Sequence, residues 1–287
     1  MSILTIIQDA SLELGFSAPT TAVGNSNLQV KQLLAHAHRT GKELASDYEW
    51  PQLSKEHTFS FANGTASYAL PTDFDRFIFC TAWDRTNHWE MIGPMTAEQW
   101  QILKSGVTTS SIYYQWRFKG ITDTQFYVDP TPDETISAVF EYQSKTWCRP
   151  RTWETGITFT ANTYCFYNGN YYSTVAGGTA GSTAPTHTSS SASDGAVTWV
   201  YVSSVYDRFL ADTDVSLIDE ELITLGTMWR YKASKNLPGW DVMRADFEAR
   251  ARGKSSNNRG SKPLSLNAGY LARTGYYPNT PDTGFGS

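Results

Sequence analysis

The apolar positions change their period along the chain, and each change marks a boundary. Ile3, Ile6, Ile7, Ala10 and Leu14 recur at helical spacing, predicting a short helix over 2–14 with Gly15 as the residue just past its end. Between Ser26 and Pro51, Val30, Leu33, Leu34, Ala37, Gly41, Leu44, Ala45 and Tyr48 step by three, four and one, which keeps them on one face of a single long helix. Ser26 with Gln29 reads as its capping box and Pro51 as its stop. A glycine inside a helix costs about 1 kcal/mol relative to alanine, so Gly41 in the stripe predicts the close approach of another helix. The two helices should form an antiparallel pair.

From His57 the period becomes two. Phe59 and Phe61, then Asn63-Gly64, then Tyr68 and Leu70 read as a β-hairpin. Further strands are expected over 77–83, 88–92, 113–119, 125–128 and 135–145. Asp84–Asn87 should be a turn, and Thr96 with Gln99 a capping box opening a short helix to Lys104. Near Arg149 the composition shifts, and 177–195 is nearly all Gly, Ala, Ser and Thr. Alone it would read as a linker. Its flanks, Tyr164, Phe166, Tyr167, Tyr171 and Tyr172 before it and Val197, Trp199, Val200 and Tyr201 after it, predict a small β module with a long loop and a turn at Asn168-Gly169-Asn170.

The helical period returns at Ser216, with Asp219 three residues on as a cap signal. Ile218, Leu222, Leu225, Trp229 and Ala233 form the stripe, again with a glycine, Gly226, inside it. Pro238-Gly239 breaks the chain before a last helix over 240–251, carrying Met243, Phe247 and Ala251 and stopped by Gly253. The expected fold class is therefore α+β. A helical bundle platform is built from 1–54 and 205–253, with an antiparallel β domain at 55–148 and an inserted small β-sandwich-like module at 149–204. An extended C-terminal tail is expected at 254–287.

Composition sharpens this picture. Only 18% of the 287 residues are charged while 14% are aromatic, with 10 Trp and 16 Tyr; such chains are β-rich or bury surface in an assembly. A net charge of −5 supplies no basic field toward nucleic acid. No apolar run approaches the roughly 20 residues of a membrane span, and the N-terminus lacks the basic start of a signal peptide. Three cysteines, Cys80, Cys148 and Cys165, are odd in number and are expected to be free thiols.

Candidate chemistry is sparse. His36 and His38 are two residues apart on a helix, about 200° around it, so they cannot share one metal ion and should face solvent. His88 and Glu90 read as an ordinary polar pair. Asp73, Asp75, Asp212 and Asp214 flank turns or helix starts, where capping suffices, and Asp219, Glu220 and Glu221 complement a helix dipole. No phosphate loop, nucleophile elbow or His-Glu-x-x-His motif is present. No enzyme activity, cofactor or metal is expected. Aromatic residues of the small module could stack on sugar rings through Tyr171, Tyr172 and Trp199; the plainer reading makes Trp153, Tyr164 and Trp199 its core.

The order of certain short motifs resembles a known family. The helix ending in Leu14-Gly15-Phe16 and the Tyr48-Glu49-Trp50-Pro51-Gln52-Leu53 segment come first. Tyr68-Ala69-Leu70-Pro71-Thr72-Asp73-Phe74, Trp83-Asp84-Arg85 and Phe126-Tyr127-Val128-Asp129-Pro130-Thr131-Pro132 follow, then Asp212-Thr213-Asp214 with Leu222-Ile223-Thr224-Leu225-Gly226-Thr227-Met228-Trp229-Arg230. This resembles the head-to-tail adaptor proteins of short-tailed bacteriophages, also called tail tubular A or tail-accessory proteins, over about 1–147 and 204–252. The resemblance implies a structural protein of the virion neck, assembled in the host bacterial cytoplasm. It implies a homo-oligomeric ring, typically of twelve copies, between the portal protein and a tail tube or nozzle protein. Genome DNA would pass through without sequence-specific binding, and no membrane would be involved. It further implies that the C-terminal tail docks onto the portal or a neighbour. Here the basic Lys254, Arg259, Lys262 and Arg273 and the apolar Leu264, Leu266, Tyr270, Leu271, Tyr276 and Tyr277 would be its contacts. The module around 153–203 departs from the simplest family pattern and resembles β decorations of phage structural proteins, which leaves tail-fibre or glycan contacts open. The alternative function is a phage tail-associated glycan-binding or cell-wall-degrading protein.

Overall fold

The computed structural model describes residues 1–106, 111, 113–120 and 125–257. In chain order the elements are α1 (Ile3–Glu13), α2 (Leu28–Asp47), β1 (Ser54–Phe61), β2 (Ser67–Ala69), β3 (Phe74–Phe77), β4 (Trp83–Asp84), β5 (Trp89–Glu90), α3 (Ala97–Ser105), β6 (Gln115–Lys119), β7 (Gln125–Asp129) and β8 (Ile136–Ser144). They continue with β9 (Cys148–Arg149), β10 (Thr158–Phe159), β11 (Tyr164–Tyr167), β12 (Asn170–Thr174), β13 (Gly178–Thr179), β14 (Ser191–Asp194), β15 (Val197–Ser203), β16 (Val215–Ser216), α4 (Glu220–Ser234) and α5 (Trp240–Asn257). This is an α+β fold with antiparallel sheets. The described residues form two compact units: Met1–Leu53 with the residues from Ser144 onward, and Ser54–Gln143.

In the first unit α2, α4 and α5 pack in series and α1 lies against α4 more than against α2. The α1 side chains Ile3, Ile6, Ile7 and Ala10 are buried as the periodicity predicts, Ser2 caps the helix through Thr5 N, and Gly15 takes φ +81° just past its end. The start of α2 differs from expectation. Asn27, not Ser26, is the cap, its side chain accepting from Gln29 N at 2.8 Å. An Asx side chain in extended backbone reaches the second helical amide without needing a Gln partner. Ser216 likewise does not cap α4. It lies in β16, its hydroxyl accepts from Ile218 N, and Asp219 caps by accepting from Leu222 N.

The two stripe glycines serve different contacts. A Cβ on Gly226 would lie 2.3 Å from Thr40 Cγ2, so Gly226 is where α2 and α4 touch. A Cβ on Gly41 would lie 2.2 Å from the Trp147 ring: the expected helix neighbour is instead a tryptophan from the segment before β9. α4 buries Ile223, Thr227, Met228, Arg230 and Tyr231 as well as Leu222, while Leu225 and Trp229 stay half-buried. A helix enclosed by α1, α2 and α5 has no single apolar stripe.

The segment before α4 is laced to the N-terminal helices. Asp212 Oδ1 accepts from Ala22 N (2.9 Å) and Val23 N (2.7 Å), and Ile3 N donates to Asp214 O (2.7 Å). Asp214, fully buried, accepts from Tyr206 Oη, Leu210 N and Ala211 N. These carboxylates organise a loop rather than cap helices, because the nearby amides would otherwise be buried without partners.

Residues 153–203 fall in the same unit but carry an additional core of Phe159, Cys165, Tyr172, Ala180, Val197 and Trp199. The sheet order is β11-β12-β15-β14, with β10 paired to β13. Asn168 (φ +47°) and Gly169 (φ +82°) close the β11–β12 hairpin, as a tight two-residue turn requires. The 177–195 stretch is not a long loop: it supplies β13 and β14, held by Asp194, whose carboxylate accepts from Trp153 Nε1 (2.9 Å) and Thr183 N (3.1 Å). The other sheet face, with Tyr164, Phe166 and Tyr171, packs against the helical core. Entry and exit meet where Tyr206 N donates to Thr146 Oγ1 (3.2 Å).

The second unit has a sheet in the order β1-β8-β4-β5, with β3 also on β8, and a sheet β2-β7-β6. The expected 57–70 hairpin does not form. β1 pairs with β8 and β2 with β7, because the Asn63-Gly64 turn, with Gly64 at φ +77°, carries the chain from one sheet to the other. Phe59 and Phe61 meet Tyr68 and Phe126 through side chains instead. The expected strand over 77–83 is interrupted by a turn at Phe79-Cys80, where Cys80 takes φ +63°. The Asp84 turn and the Thr96–Gln99 capping box form as read.

Candidate assembly surface

The clearest constructed feature of the helical unit is the seam of α2, α4 and α5. Arg230 is buried (5% exposed) and donates to Thr40 Oγ1 (2.9 Å), Gly226 O (3.2 Å) and the Glu43 carboxylate, and its guanidinium lies 4.3 Å from the Trp229 ring. Burial pulls its pKa down, and the Glu43 pair opposes this. His38 is half-buried rather than solvent-facing. Its Nε2 accepts from Phe209 N (3.1 Å) and its ring stacks on Phe209, and burial holds its pKa below the ordinary value. His36 meets the Tyr231 ring edge and is lowered by burial and Arg230.

At the N-terminal end of α4, Asp219, Glu220 and Glu221 meet cations from both chain directions. The Met1 ammonium pairs with Glu220, Lys254 with Asp219 (2.7 Å) and Glu221 (2.9 Å), and Arg250 with Glu221. Burial pulls the Lys254 pKa down, but the two carboxylates outweigh it and hold it above the ordinary value. Two grooves adjoin here. One of about 440 Å³ is lined by Trp50, Gln52, Leu217 and Lys254 among others, and one of about 540 Å³ by Met1, Asp9, Leu12, Glu13, Glu221 and Thr224 among others.

The sequence-predicted contact residues fare differently. Lys254 does not begin a tail: α5 runs through Gly253 to Asn257, and Ser255 Oγ donates to Glu49 O at 3.3 Å. Gly253 does not stop the helix, because a mid-helix glycine only weakens it and the ion pairs of Arg250 and Lys254 fix the turn around it. Arg259, Lys262, Leu264, Leu266, Tyr270, Leu271, Arg273, Tyr276 and Tyr277 lie outside the described residues. Tyr171, Tyr172 and Trp199 are 2%, 0% and 0% exposed. They form core and present no open face to a sugar ring, which removes the proposed glycan contacts. Sequence reasoning missed Thr40, Glu43 and Arg230 as one cluster. Its only trace was Arg230 four residues after Gly226, so that both meet Thr40 across the seam.

Among the described residues no group of His, Cys, Asp and Glu could hold a metal ion, and no helix is long and apolar enough to cross a membrane. A scaffold of this kind joins elements of its chain through buried packing and presents grooves at helix ends. Together with its family match, it defines the class as a bacteriophage head–tail adaptor, a component of the virion. The family model described as SU10 adaptor protein matches residues 1–164, more than half of the chain, and the chain belongs to the SU10 adaptor protein family. No curated protein matches it.

Proposed function

We propose that this chain forms a homo-oligomeric ring, of twelve copies, joining the portal protein of a short-tailed phage to its tail tube or nozzle. It works without catalysis, and genome DNA passes through the ring. The helical unit builds the ring and the β unit supplies tail contacts. Residues 258–287 engage the portal or a neighbouring copy on assembly. The observation that carries this reading is the helical platform itself. α1 packs on α4, and α2 closes against α4 from the far end of the sequence through the Thr40–Gly226–Arg230 seam, giving one packed platform of the kind a ring subunit needs, in a chain of the SU10 adaptor protein family. The burial of Tyr171, Tyr172 and Trp199 takes away the support for the glycan-binding alternative. The test is electron microscopy of the purified protein with and without phage portal. Rings stacked coaxially on portals are expected; a protein that stays monomeric and leaves portals bare overturns the reading.

A further inference from the structure

Two exposed faces of the helical unit have opposite character. On α2, Leu28, Lys31, Ala35, Arg39 and Lys42 are all exposed and follow one another by three or four residues, which places them on one side of the helix. Lys31, Arg39 and Lys42 have no ion-pair partner among the described residues, and Glu43, next to Lys42 in sequence, is turned to Arg230. In a chain of net charge −5 this is a local positive field, with Leu28 standing out at 66% exposure at its end.

The second face is the groove of about 540 Å³ between α1 and the start of α4. Met1 and Leu12 stand open there at 60% exposure each, and Asp9, Glu13, Glu220 and Glu221 surround them. The Met1 ammonium pairs with Glu220, and Arg250 and Lys254 with Glu221, but Asp9 and Glu13 have no cation partner among the described residues. An open apolar floor within an acidic rim is the complement of an exposed leucine beside three cations.

The placement of the two faces decides what kind of contact they can make. Thr40 of α2 lies against Gly226 of α4. At 3.6 residues per turn, Lys31 and Lys42 sit roughly 180–200° around α2 from Thr40, and Glu221 and Thr224 roughly 140–200° around α4 from Gly226. The basic face and the groove therefore open on opposite sides of the α2–α4 pair. A partner that engages one leaves the other free, and pairing the basic face with itself would oppose like charges. Repeated head to tail, the contact yields a ring or a filament and not a two-fold dimer.

We propose that the Leu28, Lys31, Arg39 and Lys42 face of α2 in one copy docks on the groove of Met1, Leu12, Asp9 and Glu13 in the next copy, and that this contact builds the ring. The inference rests on the ring reading and names its interface. Sedimentation velocity of the full-length proteins, alone and with phage portal rings, tests it. One variant reverses the basic face, Lys31→Glu/Arg39→Glu/Lys42→Glu; the other reverses the groove, Asp9→Lys/Glu13→Lys. Each alone is expected to raise the concentration of half-assembly at least about tenfold, as like charges brought face to face do. An equimolar mixture of the two should assemble again, because every contact between unlike copies is once more opposite in sign. Unchanged circular dichroism shows that the variants fold. Should a reversal unfold, the alanine forms of the same residues keep the test, with assembly weakened in the same direction.

Rings formed equally well by the folded variants overturn this interface and leave the ring reading standing. Blocked assembly that does not recover on mixing also overturns it. If the basic-face variant assembles normally but loses retention of double-stranded DNA that the unaltered protein shows, the proposal is overturned in favour of a polyanion on that face. An unaltered protein that stays monomeric both alone and with portals overturns the interface and the ring reading together.

Discussion

Arg230 donates to the Thr40 hydroxyl at 2.9 Å from the facing helix, beside the point where Gly226 leaves no room for a side chain against the same threonine. One residue of α2 thus meets both a charge and a bare backbone from α4. Shortening Arg230 would leave Thr40 and the half-exposed Glu43 without their donor. Arg230→Ala should lower stability by about 3 kcal/mol, and Glu43→Ala by a comparable amount, about 2–3 kcal/mol, because it leaves the buried Arg230 guanidinium without its counter-charge. Urea unfolding midpoints at constant slope give both values.

The steric half of the contact is separable from the polar half. Gly226→Ala places a methyl against Thr40 Cγ2, where an atom would sit at 2.3 Å, and should cost about 1–3 kcal/mol by overpacking. Thr40→Ser removes that methyl and keeps the hydroxyl that Arg230 uses. In a double-mutant cycle the serine should therefore restore part of the loss. Additive losses would mean that the crowding is relieved elsewhere.

Much of this was legible in the sequence, and the failures share a cause. Periodicity located α1, α2, α4 and α5, because an amphipathic face is a local signal, and the Thr96–Gln99 capping box located α3. Asn27 and Asp219 displaced Ser26 and Ser216 as caps because more than one capping residue stood within a few positions of each helix start and only backbone geometry chooses among them. The β1–β2 hairpin failed because Asn63-Gly64 specifies a turn but not which strands the flanks pair with. Trp147 against Gly41 and Tyr206 against Asp214 are separated by more than a hundred residues and by eight residues respectively; neither pairing has a period to betray it. The site residues of 258–287 rested on the family resemblance rather than on any pattern.

Acid should loosen the molecule through its histidines. Burial lowers the pKa of His36, His38 and His57. Each is therefore more easily protonated in the unfolded chain than in the fold. Their contribution is complete above the ordinary value of about 6.5 and is lost as pH falls through the depressed folded values. His38 adds a geometric penalty, since a protonated Nε2 cannot accept from Phe209 N. Thermal midpoints should fall between pH 7 and 5. His38→Gln, which cannot titrate, should reduce that slope; an unchanged slope would rule His38 out as a contributor.

The β module depends on one carboxylate. Asp194 is 3% exposed and accepts from Trp153 Nε1 and Thr183 N. Asp194→Ala strands both donors, so the module should lose about 2–3 kcal/mol. Hydrogen exchange should rise across β14 and β15 first, leaving α2 and α4 protected. Uniform exposure of the whole unit would show that residues 153–203 and the helices unfold together.

The last turn of α5 decides where residues 258–287 can be cut away in a test of the portal-binding proposal. Truncation after Gly253 removes Lys254, which joins Asp219 and Glu221, and Ser255, which donates to Glu49 O. These contacts are largely exposed ion pairs and one long hydrogen bond, so the loss should be about 1 kcal/mol, enough to confuse a binding experiment. Truncation after Asn257 keeps them. The shorter protein should then retain its circular dichroism and thermal midpoint, form rings as before, and fail to capture portal rings in a pull-down. The full chain should capture portals in a salt-sensitive manner, because the charges of Arg259, Lys262 and Arg273 attract an acidic surface only as far as salt leaves them unscreened. Undiminished capture by the Asn257 truncation would mean that the helical platform makes the joint alone. Loss of rings as well as capture would place residues 258–287 between copies rather than between adaptor and portal.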